Sequence, residues 1–243
     1  MRLALKGSVV LVTGGGRGVG LGITRAFRDA GATVVICSRK EPEAVPGTEF
    51  HPCDVRDAEQ VDDLIDWIAG RFGRLDVVVN NAGGAPPSDT ATASPRFHTS
   101  VVGLNLLAPL QVSQRANAVM QQQETGGSIV MVSSVSGFRA SPGTAAYGAA
   151  KAGLNNLTAT LAVEWAPKVR VNALGVGMVR TEQADLYYDE STARTVPLGR
   201  LAEPDEIGSC AVFLASPLAS YVSGATLLVH GGGEMPAYLR EKT

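Results

Sequence analysis

Cysteine, histidine, long apolar runs and basic runs are all scarce in this chain, and each scarcity excludes something. The three cysteines, Cys37, Cys53 and Cys210, are an odd number at wide spacing in a chain of 243 residues. That pattern fits neither a disulfide framework nor a zinc site. It reads as buried, reduced thiols in a cytoplasmic protein. His51, His98 and His230 stand far apart, so no metal site is expected. No apolar stretch reaches the roughly 18 residues that a membrane helix needs. The N-terminus lacks the succession of charged region, apolar region and cleavage site that directs secretion. A formal net charge of −2 and the lack of any lysine/arginine-rich run argue against a nucleic-acid partner.

What the chain has is apolar residues in short, regularly spaced runs. It is 45% hydrophobic and 18% charged, enough to bury a sizeable core. Ser8–Val12, Thr33–Cys37, Leu75–Val79, Ser128–Val132, Val169–Ala173 and Ala225–Val229 read as strands, with a shorter one at Thr48–Cys53. The first six are rich in Val, Ile or Leu and nearly continuous, as strands covered on both faces are. Helical patterns lie between them, such as the stripe Val61, Leu64, Ile65, Ile68 and Phe72. Alternation of this kind predicts an α/β fold: a doubly wound parallel sheet with helices on both faces. No internal repeat and no linker interrupts it, so residues 1–243 read as a single domain.

Two long loops, Gly83–Ser94 and Thr181–Leu198, follow strand ends, the side on which open α/β sheets bind ligands. Loops of such length in a compact domain are often lids or binding loops, and 181–198 is the expected substrate lid. The helix around Tyr147 is apolar on nearly every side, through Ala149, Ala150, Leu154, Leu157, Leu161, Ala162 and Trp165. One face can cover the sheet; the other calls for a partner, so a homo-oligomer, tetramer or dimer, is expected.

The first strand runs into Thr13-Gly14-Gly15-Gly16-Arg17-Gly18-Val19-Gly20 and then a helix. Glycines there let a phosphate approach the backbone, and the helix N-terminus directs free N–H groups at it. An acid usually follows the glycines by about 20 residues in chains that bind NAD. Here the place is taken by Cys37-Ser38-Arg39, with no acid before Glu41. Arg39, helped by Arg17, is suited to a ribose 2′-phosphate, so the expected cofactor is NADP(H) rather than NAD(H).

Tyr147 and Lys151 stand four residues apart, on one face of a helix, downstream of Ser133-Ser134. An ammonium beside a phenol favours the phenolate and lowers its pKa, making an acid/base group of a side chain otherwise idle at neutral pH. Taken together, these segments resemble the short-chain dehydrogenases/reductases in their compact single-domain branch, a Rossmann fold, over almost the whole length. Thr13-Gly14 to Gly20 is similar to the family's TGxxxGxG motif, and Asp54-Val55 to the pair that touches adenine. Asn80-Asn81-Ala82-Gly83 resembles the NNAG motif beside the cofactor. Asn105 stands where the family has its catalytic asparagine. Ser134, Tyr147 and Lys151 resemble the catalytic serine and the YxxxK motif, family spacing selecting Ser134 over Ser133.

The resemblance implies interconversion of a carbonyl and a secondary alcohol in a small molecule, with hydride carried by the nicotinamide. It gives Tyr147 the role of general acid/base. Lys151 would lower the phenol's pKa and bind the nicotinamide ribose, Ser134 would polarise the substrate oxygen, and Asn105 would hold a water in a proton relay. Val179 and Thr181 resemble the pair that anchors the carboxamide. The pocket wall is expected to run through Gly84–Pro95, Val135–Ala146 and Thr181–Leu198, with Phe138, Tyr187 and Tyr188 as ring contacts.

Three departures stand out. Val176-Gly177 replaces the family's proline-glycine, predicting a looser turn. His230 replaces the aspartate before the last glycines. The link between the second and third strands is short and bears prolines, leaving little room for a helix and exposing Arg39. Two other functions compete. A 3-oxoacyl-carrier-protein reductase is disfavoured by Gln121-Gln122-Gln123-Glu124, where basic residues would dock an acidic carrier. A non-catalytic dinucleotide-binding sensor or assembly subunit is disfavoured by the presence of both Tyr147 and Lys151.

Overall fold

The structure, a computed structural model, describes residues 5–43, 45–182, 184, 188 and 190–234. Seven parallel strands form one sheet: β1 (Val9–Thr13), β2 (Thr33–Ser38), β3 (Thr48–Pro52), β4 (Val77–Asn80), β5 (Gly127–Ser134), β6 (Val169–Val176) and β7 (Thr226–Val229). Their order is β3-β2-β1-β4-β5-β6-β7. The chain thus starts in the middle, winds to one edge, returns and winds to the other, which is the doubly wound arrangement expected.

The strand sequences explain the layers. In β1, Val9 and Leu11 enter one core cluster and Val10 and Val12 the other, because successive side chains point to opposite faces. Helices α2 (Ala58–Phe72), α4 (Ala108–Met120) and α5 (Ala145–Glu164) cover the first face with Leu64, Ile65, Val112 and Leu154. Helices α1 (Gly18–Asp29) and α7 (Pro204–Ala215) cover the second with Ile23, Phe27, Ile207 and Ala211. A short α3 (Pro95–Val102) precedes α4, and α6 (Glu190–Ala193) lies in the second long loop.

β5 and β6 run longer than their apolar cores suggest because they pair in register through Ser133↔Gly175 and Ser134↔Val176. Ser134 is thereby carried to the carboxyl edge of the sheet. Among the described residues no helix forms between β2 and β3, as the prolines there predict. The turn after β6 is not loose: Gly177 N–H donates to the Val229 carbonyl at 2.9 Å, bracing it against β7. Among the described residues no helix is long and apolar enough to cross a membrane, and no group of three or more His, Cys, Asp or Glu side chains is placed to hold a metal ion.

Candidate active site

The carboxyl edge of the sheet gathers the residues singled out in the sequence. The glycine turn leaves β1 and enters α1, whose N-cap, Arg17, is extended and makes no side-chain capping bond. Gly14 takes a left-handed φ of +65°. A Cβ on Gly20 would stand 2.1 Å from the Gly14 carbonyl oxygen, so only glycine lets the helix start this close to the strand. Asn81 locks the turn from the end of β4: its Nδ2 donates to the carbonyls of Thr13 and Gly14 at 2.9 and 3.1 Å. Thr13 Oγ1 accepts from the N–H groups of Asn81 and Ala82 at 3.0 Å each. Asn80, one step back along the pleat, points into the core instead and donates to Ser113 Oγ at 2.8 Å. A turn without side chains, at a helix N-terminus, fits a dinucleotide pyrophosphate.

The flanks of that cradle come from β2 and β3. Ser38 Oγ donates to the Lys40 carbonyl, and Arg39 is exposed beside it. Pro42 lies over the glycine turn, so a Cβ on Gly16 would stand 2.5 Å from its ring. Val55 is buried. Asp54 is gripped by Arg56, with contacts of 2.9 and 2.6 Å. That hydrogen bonding, with a smaller contribution from Arg39, holds its carboxyl below the usual value. On the other side Val179 forms an isolated bridge with Ala202, and the Thr181 methyl packs over Gly18, 3.4 Å from where a Cβ would stand.

Asn105, Ser134, Tyr147 and Lys151 converge beyond Gly83. Asn105 sits in one π-helical turn, Gly103–Leu107, set between α3 and α4, a feature frequent at functional sites. Its Oδ1 accepts from Gly84 N–H at 2.8 Å, and its Nδ2 donates to the carbonyls of Gly84 and Val101 at 3.0 and 2.9 Å. A Cβ on Gly83 would stand 2.8 Å from Asn105 Oδ1 and 3.4 Å from Lys151 Nζ, so both side chains meet at one glycine. Lys151 is buried, and its Nζ donates to the Val132 carbonyl at 2.7 Å. The ammonium stands 5.6 Å from the centre of the Tyr147 ring. The pair spaced four apart thus does share a face. Ser134 caps the 3-10 turn Val135–Gly137, accepting from Ser136 N–H at 3.2 Å, and also hydrogen-bonds the Tyr147 phenol.

The electrostatics differ from the simple expectation. Burial pushes the Tyr147 phenol above its ordinary value, the Ser134 hydrogen bond pulls the other way, and Tyr188 raises it further. The same burial lowers Lys151 to about 8. For the phenol, desolvation outweighs the Ser134 hydrogen bond, because a charged oxygen in this setting loses its water.

The pocket wall forms partly as foreseen. Ser88 N–H donates to the Gly143 carbonyl at 2.8 Å, joining the loops after β4 and β5. Tyr188 belongs to this site through its effect on Tyr147; Tyr187 lies outside the described residues. Two contacts had no signal in the sequence. Glu182 places its carboxylate on Gly18 N–H, with oxygens at 3.3 and 3.1 Å, and Glu234 pairs with Arg139. Both join residues far apart in the chain. Gln121 and Gln123 are spent on structure: Gln121 Nε2 donates to the Trp165 carbonyl at 3.0 Å, and Gln123 Nε2 to those of Leu75 and Gly126 at 3.0 and 2.7 Å.

Comparison with known proteins agrees with this geometry. A family model described as enoyl-(acyl carrier protein) reductase matches residues 14–234. L-fucose dehydrogenase of Bos taurus is 37% identical, over 94% of this chain and 90% of that protein. The 3-oxoacyl-[acyl-carrier-protein] reductase of Thermotoga maritima is 34% identical, over 95% of this chain and 99% of its own length. The ligand-free structure of an aldohexose dehydrogenase from Thermoplasma acidophilum superposes with a TM-score of 0.89 at 29% identity, covering 94% of each chain. With the glycine turn, the NNAG segment and the Ser134, Tyr147 and Lys151 cluster at one sheet edge, the chain belongs to the short-chain dehydrogenase/reductase family of oxidoreductases.

Proposed function

We propose that the protein is an NADP(H)-dependent oxidoreductase that interconverts a carbonyl and a secondary alcohol, with Tyr147 as general acid/base. The observation that carries this reading is the half-buried Tyr147 phenol, hydrogen-bonded to Ser134, with the Lys151 ammonium 5.6 Å from the centre of its ring. The glycine turn would hold the pyrophosphate of a bound dinucleotide and Val179 and Thr181 its carboxamide, and the nicotinamide would supply or accept the hydride.

The chain's own residues handle the proton and the oxygen. Burial keeps the phenol protonated, which suits donation to a carbonyl oxygen during reduction. Ser134 orients that oxygen by hydrogen bonding. As the phenolate forms, the nearby ammonium stabilises it, and Asn105 is placed to support a proton relay toward Lys151. Arg39 and Arg17, with no acid at the end of β2, favour NADP(H). Exposed Ala152, Asn156, Ala159, Thr160 and Val163 form an uncharged outward stripe on α5, which suits packing against a second copy.

The test is an NADPH-consumption screen over ketones with Tyr147→Phe as control. That variant should lose at least about a hundredfold in turnover while retaining dinucleotide binding; an unimpaired Tyr147→Phe enzyme would remove the residue from the mechanism.

A further inference from the structure

A recess of about 160 Å³ opens at the carboxyl edge of the sheet, lined from the ends of β5, β6 and β7. Its apolar wall is Val135, next after Ser134, together with Phe138, Met178, next before Val179, and Leu228. The Phe138 ring and the Leu228 side chain both press on Gly175, where a Cβ would stand 3.1 and 2.6 Å from them, so these two apolar side chains meet over bare backbone. The rim carries Arg139, His230 and Glu234. Arg139 donates to the Glu234 carboxylate and, at 2.7 Å, to the Ala140 carbonyl. Among the described residues of the lining the Arg139 guanidinium is thus paired within the wall.

We propose that this recess is the distal substrate subsite and takes an uncharged, apolar group the size of one six-membered ring, attached at the reacting carbon. This rests on the carbonyl/alcohol reading given above. Size and charge both lead there. A cavity of about 150 Å³ with Leu, Ile and Phe walls takes benzene, so the volume matches a single ring. Among the described lining residues the guanidinium is already paired, which leaves a carboxylate or phosphate the His230 ring alone to offset its lost water. Glu234 is thus a specificity residue: it selects against anionic substrates by occupying Arg139.

The experiment compares kcat/KM for butan-2-one, cyclohexyl methyl ketone and 4-acetylcyclohexanecarboxylate in wild type, Leu228→Trp and Glu234→Gln. Wild type should prefer the neutral ring ketone over butan-2-one by at least about tenfold. Leu228→Trp, which fills the recess, should erase that preference, read as the ratio of kcat/KM for the two ketones. Glu234→Gln should raise the carboxylate-bearing ketone about tenfold relative to the neutral ring. Ring preference that survives Leu228→Trp, or a carboxylate penalty that survives Glu234→Gln, overturns the assignment while butan-2-one turnover keeps the carbonyl reading intact. If no ketone turns over, that reading fails, and calorimetry with cyclohexanol decides the recess: saturable binding to wild type lost in Leu228→Trp supports it, and its lack refutes it.

Discussion

The Glu182 carboxylate rests on the backbone N–H of Gly18, the first residue of α1, with both oxygens within 3.3 Å. That helix start is also where the glycine turn offers donors to a dinucleotide phosphate. Two anions therefore contend for one donor and one positive helix end. Such a contact at an exposed helix terminus is worth about 0.3–1 kcal/mol. Glu182→Gln should then tighten NADPH binding roughly two- to fivefold by fluorescence titration, and tighten ADP-ribose similarly, since the nicotinamide is not involved. An unchanged dissociation constant would mean that Glu182 yields its place at no cost.

Cofactor choice turns on Arg39. It is exposed, lies close enough to Asp54 to help hold that carboxyl ionised, and has no acid beside it at the end of β2. A charge-assisted contact to a phosphate is worth about 1.5–3 kcal/mol. Arg39→Asp should therefore shift the NADPH/NADH ratio of kcat/KM by at least about tenfold toward NADH, with little change in NADH itself. A ratio that stays put would leave Arg39 a solvated surface cation.

Legibility in the sequence followed the range of the interactions. The parallel sheet was readable because each strand is a short apolar run and each helix keeps its own period. The Tyr147–Lys151 pair was readable because four residues on a helix fix a face, and the 5.6 Å approach follows from that. The direction of the Tyr147 pKa was not, since spacing describes a neighbour while burial, set by the whole fold, decides how much water remains. Nor were Glu182 on Gly18 and Glu234 on Arg139: 164 and 95 residues separate the partners, and no local pattern marks such contacts. The π turn at Asn105 was likewise hidden, because its extra residue only shows once the long helix is laid on the sheet.

Helix α5 makes a prediction about assembly. Its outward residues Ala152, Asn156, Ala159, Thr160 and Val163 recur at helical spacing and carry no charge, and Val163 is 80% exposed. Such a stripe suits close helix packing between two copies. Light scattering at micromolar concentration should give an oligomer for wild type and a smaller species for Val163→Arg, because a buried, unpaired guanidinium at that seam is costly. A monomeric wild type would refute the expectation outright.

Lys151 links the site to stability. Burial lowers its pKa from 10.5 to about 8, so the folded state carries the cost of a desolvated ammonium at every pH below about 8. Between that value and 10.5 the folded protein releases the proton while the unfolded chain still holds it. Stability contributed by this group therefore rises with pH across that window. The span corresponds to roughly 3 kcal/mol at about 1.4 kcal/mol per pH unit. Lys151→Met removes the charge, so its stability relative to wild type should be highest at pH 7 to 8 and decline by about that amount by pH 10.5. Other titrating groups are common to both proteins and cancel in the difference. Urea unfolding of the pair at pH 7, 8, 9 and 10.5 measures it. A difference that does not vary with pH would place Lys151 at its ordinary value and remove the desolvated ammonium from the site.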